Sequence, residues 1–340
     1  MKVVRIPLQP CSRFHFGELK LDHDLALTDT SLFAHSDTLF SALVNAYSSF
    51  ADGAEDFIMR FRPDGGSIKI SSLFYYLQNN EERVYFLPKP VFLDIESPKT
   101  VDGNHKKRNL IKFVSLGTWL NGFEPEKWFD EKNASYHTLQ STFVMTNKEH
   151  ENLGSPALDH IAKTVLSPKS PKRGLEDQAI YYQADVEIGS SDELIIGMYF
   201  LYEAEGQAET ELKIAANIMA YTGIGGEIKN TGRTVRSQPE FDIFDFGPMS
   251  TDSKFVCVSL LNPSDATEFS KVIYYSTSLR GGRLLGTGKE GVNVVRMIDE
   301  GAFVATNDLK GRLVELGPDE DKRMIYRLGI PFLIPVNYGN

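Results

Sequence analysis

The sequence predicts an α+β fold of two tandem ferredoxin-like (RRM-like) units with insertions. Three observations carry that expectation. The chain opens as strand, helix, strand, strand, and a second helix is followed by a strand before residue 250. Beyond that, the V-x-V-x-L run at 256–260, leading to Asn262–Pro263, echoes the V-x-I-x-L run at 4–8, leading to Gln9–Pro10. At 340 residues, 41% hydrophobic and 24% charged, the chain can bury a sizeable core and is too long for one small module at roughly 100–200 residues per domain.

Each element follows from its pattern. Residues 3–8 alternate Val4, Ile6 and Leu8 on one face with Val3, Arg5 and Pro7 on the other, the period of a strand. A loop from Cys11 to His35 leads to a helix capped by Ser36, whose apolar residues Leu39, Phe40, Leu43, Ala46, Tyr47 and Phe50 recur at helical spacing. Strands are expected at Ile68–Leu77 and Val84–Leu87 on either side of an Asn79–Asn80 turn. Residues 95–175 are less periodic and read as an insertion, with helices near Phe113–Leu120 and Leu158–Leu166. Strands resume at Ala179–Ile188 and Leu194–Tyr202, and Thr210 caps a second helix that Gly223 stops. A strand at Phe241–Phe246 closes the N-terminal domain, residues 1–250. The C-terminal domain, 251–340, takes strands at Phe255–Leu261, Val272–Thr277, Val292–Ile298, Phe303–Ala305 and Ile330–Val336.

The net charge of −10 argues against nucleic acid until its distribution is considered. Segment 99–112 carries five Lys/Arg against one Asp, and 163–173 carries four without an acid. Segments 227–236 and 280–296 are also net basic, so the remainder is strongly acidic and the molecule is bipolar. A single basic run is ordinarily a solvated loop. Here three of the four are rich in Gly, Ser or Asn, the composition of backbone that approaches phosphate.

The loop after the second helix is the sharpest motif. Gly223, Gly225, Gly226 and Gly232 are interleaved with Lys229, Asn230, Arg233 and Arg236, so that amides and cations can converge on an anion. Its order of helix, glycine loop, strand reverses that of Rossmann and P-loop sites, which excludes both. A helix C-cap followed by a hairpin is the competing account of the glycines. A second glycine-rich stretch, Gly281–Gly291, suits either a backbone clamp or a tight turn. The aromatics of SSLFYYL alternate, placing Phe74 and Tyr76 on one face and Tyr75 on the other, where it could stack a base.

No assembled catalytic site is visible. His15 and His35 have polar neighbours but no evident nucleophile or orienting partner. Asp22–His23–Asp24 and Asp319–Glu320–Asp321 read as solvated turns, and there is no H-E-x-x-H or G-x-S-x-G. Cys11 and Cys257 lie outside any zinc spacing, which points to a reducing compartment. Apolar runs such as Ile195–Leu201 are far shorter than the ~20 residues of a membrane span, and the N-terminus reads as a strand instead of a signal peptide, so a cytoplasmic protein without cofactor or metal is expected.

The blocks FHFGEL, HSDTLFSALVNAY, SSLFYYL, YFLPKP and YTGIGGEIKNTGRTV, followed by YYSTSLRGGRL, VVRMIDEGAFV and MIYRLGIPFLIPV, run in order through nearly the whole chain. In that order they resemble the RAMP-superfamily subunit of type III-A CRISPR Csm complexes that caps the 5′ end of the guide RNA. The resemblance implies two ferredoxin-like domains, recognition of the crRNA 5′ tag, and no catalytic activity. It also implies docking to the large polymerase/cyclase-type subunit and to an adjacent backbone RAMP subunit. Carried onto matching positions, it implies RNA phosphates on Gly223, Gly225, Gly226 and Gly232, with Lys229, Asn230, Arg233 and Arg236 around them and His35, Ser36 and His15 nearby. Lys106, Lys107 and Arg108 join this set on charge alone. The competing functions are a metal-independent RAMP endoribonuclease using His15 or His35 as general base, and the equivalent subunit of a type III-B complex.

Overall fold

The computed structural model describes residues 1–18, 28–95, 104–130, 135–169, 181–226, 237–247, 254–281, 293–319 and 322–337. It is a mixed α+β structure. The N-terminal part is organised by β1 (Lys2–Pro7), α1 (Ser36–Ser48), β2 (Phe74–Gln78), β3 (Ile195–Glu203), α2 (Gly206–Thr222) and β4 (Glu240–Ile243). These strands lie in the order β4-β1-β3-β2, every neighbour antiparallel. The sheet continues beyond β2 through Arg83–Pro88, Phe113–Ser115, Phe143–Thr146 and Tyr136–Leu139. Much of the stretch read as an insertion therefore extends this sheet.

The C-terminal part is organised by β5 (Lys254–Cys257), α3 (Ala266–Phe269), β6 (Val272–Tyr274), β7 (Phe303–Val304) and β8 (Leu333–Val336). Its spatial order is β8-β5-β7-β6, again antiparallel throughout. Two hairpins flank it, Thr277–Arg280 with Val295–Ile298, and Arg312–Pro318 with Met324–Gly329.

Helix α1 buries Leu39, Phe40, Leu43 and Ala46, a stripe at spacings of one, three and three that faces one side of a helix. Helix α2 buries Leu212 and Met219 among Ala208, Ala215, Ala216 and Ala220, and these small residues let it lie close beside α1. The far side of the sheet is also covered. Arg5, 4% exposed, bonds to Tyr85 Oη at 3.0 Å and to Glu240 at 3.0 Å there, while Tyr85 packs edge-on to Tyr199 and Phe244.

That double cover corrects one sequence expectation. Tyr75 is fully buried, and its hydroxyl donates to the carbonyl of Leu32, so it is core and not a base-stacking ring. Three further expectations change. The helix near Leu158–Leu166 is instead the strand Ala162–Lys169, paired over its whole length with Tyr181–Ile188. His35, not Ser36, is the N-cap residue of α1, and α2 begins at Gly206, one turn before Thr210. Both cysteines are free.

Candidate nucleic-acid interface

The glycine loop begins where α2 ends. Gly223, at φ +98°, stops the helix, and its N–H donates to Met219 O at 2.8 Å. Ile224 is buried, and Gly225 then turns at φ +96°. Gly226 N–H donates to His15 O at 2.8 Å, bridging the turn to the chain after Arg13–Phe14. A Cβ on Gly225 would come within 2.5 Å of His15 O, and one on Gly226 within 2.9 Å of His15 Cδ2. These two glycines are therefore required for close backbone approach. The amides of Gly223 and Gly226 are occupied by carbonyls, which corrects the expectation that both converge on an anion. Lys229, Asn230, Gly232, Arg233 and Arg236 lie outside the described residues.

His15 is 5% exposed, and its Nδ1 lies 2.7 Å from Ala184 O. A carbonyl only accepts, so Nδ1 carries a proton and the ring is locked between the turn and the strand Tyr181–Ile188. The pairing of that strand with Ala162–Lys169 into one hairpin is what the sequence reading missed. Its paired residues place Leu166 and Tyr182 on one face, 62% and 56% exposed, next to Pro168. The opposite face holds Arg13 and Lys163 on Glu187, with Lys169 3.9 Å from buried Asp185. The strict alternation of exposure along Ala162–Lys169 is the signal that identifies the strand.

His35 and Ser36 are placed elsewhere. Both are buried at the N-terminus of α1 against the C-terminal part. Ser36 Oγ accepts from Leu260 N–H at 3.0 Å, and Ser36 N–H donates to Ser72 Oγ at 2.8 Å. His35 Nδ1 meets Glu300 at 2.9 Å, and Ser72 Oγ donates to the same carboxylate. This corrects their expected place beside the phosphate: their polar atoms face inward onto residues far away in the chain. The order Ser72–Glu300–His35 also puts the carboxylate in the middle, so His35 does not face the Ser72 hydroxyl as a general base would.

Next to them Asp37, with no exposed surface, accepts from Arg280 Nε at 3.0 Å, Arg280 Nη2 at 2.9 Å and Arg327 Nη1. Burial pushes the Asp37 carboxyl up, but the two guanidinium charges outweigh it and hold it well below the usual carboxylate range. Glu300 is likewise raised by burial and lowered more strongly by His35 and Ser72.

Lys106, Lys107 and Arg108 sit on the short helix His105–Leu110. Lys106 and Lys107 are exposed, with Lys107 Nζ 6.0 Å from the Phe129 ring centroid. Arg108 is 4% exposed and turns inward, which corrects its expected place among the cations open to RNA. Among the described residues no group of three or more His, Cys, Asp or Glu side chains is arranged to hold a metal, and no helix is long and apolar enough to cross a membrane.

Comparison with known proteins gives a family-model match and structural matches. Residues 250–336 match the family model of the CRISPR Csm4 C-terminal domain. Over 99% of its length the fold is similar to the whole of a chain in the crystal structure of the Csm3-Csm4 subcomplex in the type III-A CRISPR-Cas interference complex, with a TM-score of 0.67 at 21% identity. Over its whole length it is similar to a whole chain in the crystal structure of the Csm1-Csm4 cassette in complex with cA4, with a TM-score of 0.57 at 18% identity. No curated protein sequence matches the chain. Residues 250–336 thus match the Csm4 C-terminal domain model, on a chain whose fold is similar from end to end to chains of the Csm3-Csm4 and Csm1-Csm4 structures.

Proposed function

We propose that the chain is the Csm4-type subunit of a type III-A CRISPR effector, binding the 5′ tag of the crRNA without cutting it. It docks the large polymerase/cyclase-type subunit on one side and a backbone RAMP subunit on the other. The observation that carries this reading is the Csm4 C-terminal domain at 250–336 on a chain whose entire fold follows that of the Csm3-Csm4 and Csm1-Csm4 structures. The matching strand order of the two sheets supports a description as tandem ferredoxin-like units, 1–250 and 251–340.

RNA phosphates approach the turn at Gly225–Gly226 and the cations that follow it in sequence, Lys229, Arg233 and Arg236. The exposed Tyr182 and Leu166 on the neighbouring hairpin offer apolar surface to an unpaired base. The absence of catalysis is part of the proposal. His15 and His35 are 5% and 8% exposed, with Nδ1 of each already engaged, which gives the ribonuclease reading less support.

The test uses the assembled complex carrying Arg233→Glu and Arg236→Glu together. Reduced crRNA retention is expected, and unchanged retention contradicts the proposed contact. Incubation of the purified chain with repeat RNA in EDTA is expected to leave the RNA intact, whereas cleavage contradicts the non-catalytic reading.

A further inference from the structure

Arg5, Arg13, Arg60, Arg280, Arg323 and Arg327 each meet a carboxylate. Arg296 and Arg312 are exposed and, among the described residues, form no ion pair. Each is held by a neutral acceptor instead: Arg296 Nη1 donates to Thr277 Oγ1 at 3.1 Å, and Arg312 Nε donates to Asn262 Oδ1 at 2.8 Å. Their charge is thereby oriented without being neutralised.

Asn262, 5% exposed, organises the pair. Its Nδ2 donates to Arg296 O at 3.0 Å while its Oδ1 takes the Arg312 proton, and its backbone N–H donates to Gly329 O at 3.0 Å. One side-chain amide thus ties the hairpin carrying Arg296 to the hairpin carrying Arg312. Asn293 Nδ2, donating to Leu316 O at 2.6 Å, ties the same two hairpins a second time. The seam is tight at Gly329, where a Cβ would come within 2.6 Å of Asn262 Cβ.

Arg312, held at Nε, keeps its two Nη groups as a planar fork that suits phosphate oxygens in bidentate fashion, whereas Arg296, held at Nη1, keeps its charge and Nη2 for a phosphate. Tyr275, two residues before Thr277, is 41% exposed and packs edge-on to Phe269 at 5.4 Å. An exposed ring two residues from the threonine that holds Arg296 favours a nucleotide strand over a purely acidic peptide.

We propose that Arg296 and Arg312, on the two hairpins that Asn262 ties together, bind the phosphodiester backbone of single-stranded RNA on the C-terminal unit. The inference rests on the RNA-binding reading above and adds a binding region remote in sequence from the glycine loop.

The test measures fluorescence anisotropy of a labelled single-stranded oligoribonucleotide with the full-length chain across a KCl series. Arg296→Gln with Arg312→Gln is expected to weaken binding and to flatten the slope of log K against log[salt] by about 0.7 for each phosphate no longer neutralised. Arg296→Lys with Arg312→Lys is expected to keep most of the slope while losing affinity, a pattern that general destabilisation does not produce. RNA binding by the parent chain with the same slope in the Gln pair overturns this inference alone, as does weaker binding without a slope change. Loss of polyglutamate binding with unchanged RNA binding overturns it in favour of an acidic protein partner. Failure of the parent chain to bind the RNA overturns the RNA-binding reading and this inference with it.

Discussion

The two sheets share one spatial order, yet they are covered differently. In the N-terminal sheet strands of up to nine residues carry α1 and α2, of 13 and 17 residues. In the C-terminal sheet strands of two to four residues carry a four-residue helix, and the hairpin Arg312–Gly329 occupies the chain position that α2 holds in the first half. Alternation along the C-terminal strands divides their side chains. Val256, Phe303, Ile334 and Val336 join the main core, while Cys257 and Val304 join a small separate cluster with Leu261, Val272, Ile298, Ala302 and Leu309. Strand order is thus kept by backbone pairing, and apolar cover is supplied by whatever packs nearby. The N-terminal half contributes to this cover: Phe92 packs on Phe303 with ring centroids 5.0 Å apart, Trp119 Nε1 donates to Pro335 O at 2.9 Å, and α1 lies against the flanking strand Met324–Gly329.

Because the smaller sheet depends on the larger, the joint between them is where the comparison breaks most readily. Asp37→Ala leaves buried Arg280 and partly buried Arg327 without their counter-charge and is expected to cost about 3–5 kcal/mol in denaturant unfolding. A loss below about 1 kcal/mol would mean that the halves are stabilised independently. Ile334→Ala, in the main core, is expected to lie in the upper part of the about 2–5 kcal/mol range for such truncations. Ile298→Ala, in the small cluster, is expected to lie in its lower part, because a smaller cluster collapses more easily around a void. Equal losses would remove the distinction between the two cores. Trp119→Phe removes one hydrogen bond to β8 and leaves a void where part of the fully buried indole stood, an expected loss of about 1–3 kcal/mol in chemical denaturation.

The smallest effect under ordinary conditions is that of pH. Asp37 and Glu300 have folded-state pKa values below their ordinary ones. Their stabilisation is complete above the ordinary carboxyl range and is lost as the pH falls through the folded values, beginning below about pH 4.5. Asp299, raised by burial, acts in the opposite sense and offsets part of the loss. Thermal midpoints of the parent chain are expected to fall on acidification more steeply than those of Asp37→Asn, and parallel curves would contradict the assignment.

What was legible in the sequence was local. The apolar stripe of α1, the Gly223 stop and the period of β1 depend on neighbours a few residues apart, and each element is found close to its expected place. Distant partners were not legible. The strand Ala162–Lys169 gains its hydrogen bonds from Tyr181–Ile188, beyond residues 170–180, and without that partner Val165 and Leu166 suit a helix as well. Alternation assigned Tyr75 to an open face because it cannot report that both faces of the sheet are covered. His35, Ser36 and Asp37 looked like an exposed helix start because their partners, Glu300, Leu260, Arg280 and Arg327, lie more than 200 positions away. The Gly225–Gly226 turn was legible as unusual backbone, but not as a close approach to His15.

The most direct test is to purify the chain with its native assembly and sequence the 5′ ends of the RNA that accompanies it. A uniform repeat-derived tag at those ends is the predicted result. Recovery of the intact assembly with no RNA, or with RNA of random 5′ ends, would contradict the claim that this subunit grips the start of a guide strand.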